Sequence, residues 1–409
     1  MEVVRNIARN RSAAGRRWNA RVRRFVPRVW AAALVLAVVL LVGGAARAVS
    51  ACPFCQAVKP SFAQQRETAA VVVFAEYDQP AGQQQTFRVQ KIVKGKEALK
   101  GATALTLSVG LGQRPGGLYF LLGEANSEKA SAAPAARFDW SALPVNEVSA
   151  SYFFRAPDLR TPSAQRLKYF APFLEHRDAA VAEDAFLEFG HAPFDEVAQV
   201  GDLLPQKSLR AWLVDPRIPD GRKGFYGLAL GLATSAEDRR ENGKLLRSLI
   251  EEKKSDFRAG FDGLLAGLLY LEGDHALEYL STRYFQNPQA AVGDVKHAQS
   301  AVRFTYEFGK GVSHEKIAAA VQSLLKRPDT AAAAITDLAR WNDWTPLAEV
   351  AQLYTSSAAQ DSDIRTAVVG YLTVCPRAAG AEALSKLRKR DPQGVAAAEQ
   401  VLALPIGGK

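Results

Sequence analysis

A chain of 409 residues that is 48% hydrophobic and 23% charged has room for two or three domains with cores of their own, and this balance excludes a disordered protein. The net charge of +10 invites a nucleic-acid reading, but residues 1–48 hold ten Arg, no Lys and one acid, which leaves 42 basic against 41 acidic side chains in the body. With no basic surplus there to neutralise phosphates, DNA and RNA drop out as partners.

The chain begins with nine arginines between positions 5 and 28, followed by the uncharged, Ala/Val/Leu-rich stretch 29–46. A charged region, an apolar region and the small residues around Ala46-Arg47-Ala48 predict a signal peptide with a cleavage site there. The alternative is an uncleaved membrane anchor, which the long charged region allows although residues 29–46 are marginal in length for spanning a bilayer. Lipidation at Cys52 is a third option, against which Arg47 interrupts the apolar approach. Each option puts the body outside the cytoplasm, periplasmic or extracytoplasmic, with membrane contact only through residues 29–46 if they are retained.

Residues 68–77 form a β-branched run closed by a turn at 78–82, and residues 86–93 alternate as a half-buried strand with a slip before Ile92. Lys94-Gly95 ends that strand. Further strands are expected at 103–109 and 118–122, with edge strands at 138–140 and 148–154 and a small, polar loop at 126–136. Five or six short strands with glycine-rich turns predict a small barrel or sandwich. From residue 161 the apolar period becomes helical, through segments such as 317–325, 331–340 and 364–372, punctuated by Pro, Gly and Asp. The helices recur at loose spacings of about 30–40 residues, which favours a helical-repeat array over a compact bundle.

Several segments together resemble a known family. Cys52-Pro-Phe-Cys55, the run 69–75, Phe87-Arg-Val-Gln-Lys-Ile-Val-Lys-Gly95 and Gly117-Leu-Tyr-Phe-Leu-Leu122 resemble the start of the netrin-like family, which includes the tissue inhibitors of metalloproteinases. The resemblance implies an OB-type β-barrel over residues 52–155. The whole arrangement also looks like uncharacterised exported proteins of planctomycete bacteria, and Ile364-Arg-Thr-Ala-Val-Val-Gly-Tyr-Leu372 is similar to a HEAT-type helix. The expected order is therefore a leader with an N-terminal hydrophobic helix (1–48), the barrel (52–155) and an all-α, HEAT-like region (161–405). The inhibitors use Cys-x-Cys bonded to later cysteines, whereas this chain has Cys-x-x-Cys and no further Cys before Cys375.

The Cys52/Cys55 pair has three readings. As a redox dithiol, Cys-Pro-Phe-Cys is of the glutaredoxin type, but the strand that carries such a motif is replaced here by the leader. As a zinc site it is half filled, with no second pair or nearby His. As a structural disulfide it suits an oxidising compartment. Cys375 reads as a buried thiol. The five histidines show no ligand spacing, and nucleophile-elbow and phosphate-loop motifs are absent from the sequence, so no catalytic residue, metal or cofactor is expected. Asp361-Ser-Asp363 and Ser313-His314-Glu315 read as helix starts. Trp341 and Trp344, between helices, are either core anchors or an interaction site. The expected function is that of an exported, non-catalytic binding or scaffold protein with an unidentified protein partner. A thiol–disulfide oxidoreductase is the first alternative and a metalloprotease inhibitor the second.

Overall fold

The computed structural model describes residues 59–109, 115–129, 133–252, 258–356 and 361–404. The leader and its apolar stretch, and Cys52 with Cys55, lie outside these residues. Among the described residues no helix is long and apolar enough to cross a membrane.

The first element is a short helix that the strand-like pattern after it conceals. In α1 (Phe62–Thr68), Ser61 Oγ accepts from the Gln64 amide and Gln64 Oε1 accepts from the Ser61 amide, a reciprocal cap that satisfies two free N–H groups at once. Five antiparallel strands follow: β1 (Val71–Ala81), β2 (Gln84–Lys94), β3 (Ala104–Leu107), β4 (Leu118–Ala125) and β5 (Phe138–Val145). They form one sheet in the order β3-β2-β1-β4-β5. The expected slip in β2 is a bulge. Ala75 pairs with Val89 and Phe74 with Lys91, so Gln90 is the extra residue.

β1 explains why its sequence is a continuous apolar run rather than an alternation. Val71, Val73, Ala75 and Tyr77 pack with Phe87, Leu105, Tyr119 and Leu121 on one face. Val72 on the other face joins Phe120 and Leu122 in the core of the helical region, with Phe74 packed against it. A central strand covered on both faces needs apolar residues at every position. The barrel expected from the sequence is an open sheet in the described residues, since β3 and β5 are its edges and do not pair. Instead, the short turn Pro134–Arg137 contacts β3, and Ala135 O accepts from Trp140 Nε1 at 2.8 Å.

Residues 148–154, expected as an edge strand, are helical. Asn146 Oδ1 accepts from the amides of Val148 and Ser149, and Ser149 Oγ accepts from the Asn146 amide, which starts α2 (Glu147–Arg155). Ala150 and Phe153 then share a buried face at helical spacing. The cap overrides the β-propensity of Tyr152-Phe153-Phe154 because it fixes where the backbone turns.

Fifteen more α-helices follow in the described residues: α3 (Ser163–Phe170), α4 (Ala179–His191), α5 (Phe194–Gln199), α6 (Gln206–Val214), α7 (Asp220–Gly231), α8 (Ala236–Glu251), α9 (Phe261–Glu272), α10 (Asp274–Leu280), α11 (Val292–Phe308), α12 (His314–Gln322), α13 (Pro328–Arg340), α14 (Leu347–Leu353), α15 (Ser362–Val374), α16 (Ala378–Arg390) and α17 (Pro392–Ala403). Packing contacts run from α7 to α9, α11, α13, α15 and α17 in succession, and α6, α8, α12, α14 and α16 each pack on the helix that follows. Successive hairpins thus contact one another along the chain. Asp361 and Ser313 are the N-caps of α15 and α12, as their sequence context suggests.

Two features hold the stack together. The α7–α9 crossing brings backbones into contact: a Cβ on Gly263 would lie 2.0 Å from Gly224 O, and one on Gly267 would lie 2.1 Å from Gly227 O. Farther along, the buried Asp337 carboxylate accepts from Arg303 Nε (2.6 Å), Arg303 Nη2 (2.9 Å) and Gln299 Nε2 (2.8 Å), tying α13 to α11. One face of the sheet shares the hydrophobic core of the helices, because Phe62, Val72, Phe120 and Phe153 belong to the cluster that continues through α4 to α17, while the other face keeps a cluster of its own.

Candidate functional site

Helix α2 stands between the sheet and the first helices, and an apolar cleft opens on each side of it. Its cap sets the phase: with Ala150, Tyr152 and Phe153 turned inward, Val148, Ser151 and Phe154 face outward. Val148 is 45% exposed and Phe154 38%, although both lie beside the core.

The first cleft, of about 400 Å³, is lined by Val148, Ser151, Tyr152, Tyr169, Phe173 and His176. Its wall is a set of contacting rings. Tyr152 and Phe173 lie 4.9 Å apart, Tyr169 and Phe173 5.3 Å, and Tyr152 and Tyr169 5.6 Å. Hydrogen bonds fix these rings in place: Tyr169 OH donates to Tyr152 O at 2.7 Å, and Tyr152 OH donates to Asp184 Oδ2 at 2.8 Å. Asp184 Oδ1 in turn accepts from the Phe62 amide at 2.6 Å. Burial, reinforced by Asp184, holds the Tyr152 phenol far above its ordinary range, so it acts as a hydrogen-bond donor and not as an acid. Burial also raises the Asp184 carboxyl, against the two bonds it accepts. His176 Nδ1 accepts from the Asp178 amide at 3.1 Å, so the neutral ring carries its proton on Nε2.

The second cleft, of about 590 Å³, is lined by Phe74, Glu76, Gln90, Leu118, Ser151 and Phe154. Phe154 meets Phe74 and Phe120 edge-on, both at 5.1 Å, and the Lys91 ammonium lies 4.9 Å from its ring centroid. Glu147, Ser151 and Arg155 border both clefts and supply a carboxylate, a hydroxyl and a guanidinium along one helix. The arrangement can hold an apolar or aromatic group on each side of α2 and orient it through those polar side chains. Among the described residues, no group of three or more His, Cys, Asp or Glu could hold a metal ion.

The residues singled out in the sequence lie elsewhere. Cys52 and Cys55 are outside the described residues. Trp341 is 9% exposed and stacks on Tyr306 at 4.1 Å with an interplanar angle of 12°, while His314 stacks on Tyr306 at 4.0 Å. Trp344 is 6% exposed and meets Tyr371 edge-on at 4.8 Å. Both tryptophans fill space between helices of the stack. Cys375 is buried where α15 ends. The cleft residues were hidden by the strand reading of 148–154. The signal that would have found them is Asn146-Glu-Val-Ser149, a cap that sets Val148 and Phe154 apart from Ala150 and Phe153. Comparisons with protein-family models, with curated proteins and with solved structures find no match to this chain.

Proposed function

We propose that this chain is an exported, envelope-located binding or scaffold protein that mediates protein–protein interaction without catalysis. The observation that carries this reading is the α2 ridge, where half-exposed Val148 and Phe154 stand over two apolar clefts with ordered aromatic walls. Large apolar side chains beside a cleft are the usual anchors of a partner's side chains. The export assignment rests on the arginine-rich leader and the apolar stretch 29–46. We assign the sheet to a netrin-like, OB-type domain and the helices to a HEAT-like array. The strand order β3-β2-β1-β4-β5 is compatible with an OB-type sheet opened between β3 and β5, and the succession of stacked hairpins is compatible with a helical repeat.

The test is affinity capture from the envelope fraction with the intact mature protein and a Val148→Asp/Phe154→Asp variant. Loss of one partner at an unchanged thermal midpoint is the expected result. An identical set of captured proteins would remove the α2 ridge as the binding surface. Insulin reduction by the wild type that disappears in Cys52→Ser would favour the oxidoreductase instead.

A further inference from the structure

The outward face of α2 is symmetric in side-chain type and antisymmetric in charge about Ser151. Glu147 and Arg155 lie four positions before and after that serine, and Val148 and Phe154 three positions before and after it. At 3.6 residues per turn these five side chains share an arc of about 120° centred on Ser151, with Glu147 and Arg155 about 12 Å apart along the axis. Glu147, Val148, Phe154 and Arg155 are exposed, and Ser151 is half-buried. Among the described residues neither Glu147 nor Arg155 has an ion-pair partner. The other carboxylate of the second cleft, Glu76, is already held by Gln90 Nε2 at 3.1 Å and Arg88 Nη1 at 3.9 Å. The helix dipole favours an acid in the first turn and a base in the last. It does not account for two exposed apolar side chains set at matching distances between them.

Such a face is complementary to itself. When two α2 helices pack antiparallel about a two-fold axis at Ser151, Glu147 of each copy lies level with Arg155 of the other. Val148 lies level with Phe154 in the same way, and the two Ser151 hydroxyls meet at the axis, where each can donate and accept. An isologous contact has this form, in which one residue meets a second and the second meets the first. A parallel arrangement would set like charges against each other and is disfavoured. The clefts on either side of α2 leave room for Val148 and Phe154 of the second copy. This inference rests on the reading of the α2 ridge as a binding surface and names its occupant.

We propose that the α2 ridge binds a second copy of this chain, through an antiparallel, two-fold symmetric pair of α2 helices. The purified mature protein is examined by sedimentation equilibrium as the wild type, as Glu147→Arg, as Arg155→Glu and as an equimolar mixture of the two variants. A small contact of this kind gives a dimer that dissociates at micromolar concentration. Each variant alone carries like charges at both ends of its ridge, so its self-association should weaken by at least about tenfold. In the mixture, opposite charges again face each other at both ends, and a heterodimer should form with close to wild-type affinity. Circular dichroism checks that both variants are folded. Should either fail to fold, Ser151→Arg, which sets two like charges at the axis, takes its place and should be monomeric. A wild type that stays monomeric at about 100 µM overturns the proposal. A dimer that both charge variants leave intact, or a mixture that associates no better than its components, does the same. If the wild type is monomeric and Val148→Asp/Phe154→Asp still loses a captured partner, the ridge remains a binding surface and only the second copy is excluded.

Discussion

The α7–α9 crossing makes the sharpest demand on stability. Replacing Gly263 by Ala puts a methyl carbon 2.0 Å from Gly224 O, 2.5 Å from its carbonyl carbon and 2.6 Å from its Cα, all backbone atoms that cannot rotate away. Restoring ordinary contact near 3.4 Å requires the helices to separate by about 1.4 Å. A gap of ~1 Å already forfeits up to about half of each dispersion contact across an interface. Overpacking of this kind costs about 1–3 kcal/mol and sometimes more. The gain in helix propensity from Gly to Ala offsets only about 0.5–1 kcal/mol of it. Because the collision is with backbone, the upper end of that range applies, and the net loss is placed at about 2 kcal/mol. With a urea m-value of about 3 kcal/mol/M, the midpoint falls by about 0.7 M. Gly221→Ala, on the same α7 helix with open space at its Cβ position, is the control and should be unchanged or up to about 1 kcal/mol more stable. A Gly263→Ala midpoint within 0.1 M of the wild type, judged against experimental error of about that size, would refute the backbone-contact argument.

Other substitutions probe the remaining features. Asn146→Ala removes the α2 cap and the bond from Asn146 Nδ2 to Asp178 Oδ2, and should cost about 1–2 kcal/mol by urea denaturation; no loss would mean that α2 needs no cap. Asp337→Ala strands the Arg303 guanidinium and Gln299 and should cost about 3–5 kcal/mol, with Asp337→Asn losing less; equal effects would argue against the ionic part of that network. Asp184 gives a pH test. Burial raises its folded value above that of an ordinary carboxyl, so the folded state keeps a proton that the unfolded chain has released. Wild-type stability from this group is then fully present below the unfolded value and declines as pH rises through the folded one. Asp184→Asn should remove that decline, so the variant gains on the wild type with rising pH; a pH-independent difference between them would contradict the raised value.

Much of the architecture follows from local pattern alone. The β-branched run before Glu76, the change to helical period after residue 161, the caps at Ser313 and Asp361 and the stop at Lys94-Gly95 all depend on neighbours in sequence, and the structure places elements there. Even the slip before Ile92 was legible as a break in alternation, which the sheet realises as a bulge. The candidate site was not legible. Tyr152-Phe153-Phe154 favours a strand by composition, but the side-chain cap at Asn146 starts a helix whose buried face joins the core.

What the sequence by itself determined is the order of elements: a strand-rich first part and a helical second part after an arginine-rich leader. Periodicity and capping report backbone conformation, and those depend on residues a few positions apart. Tertiary structure alone decided that β3 and β5 are the edges of the sheet among the described residues and that one face of the sheet joins the core of the helices. It also decided that Trp341 and Trp344 are buried while Val148 and Phe154 are not. Those outcomes turn on which surfaces meet across long separations in sequence.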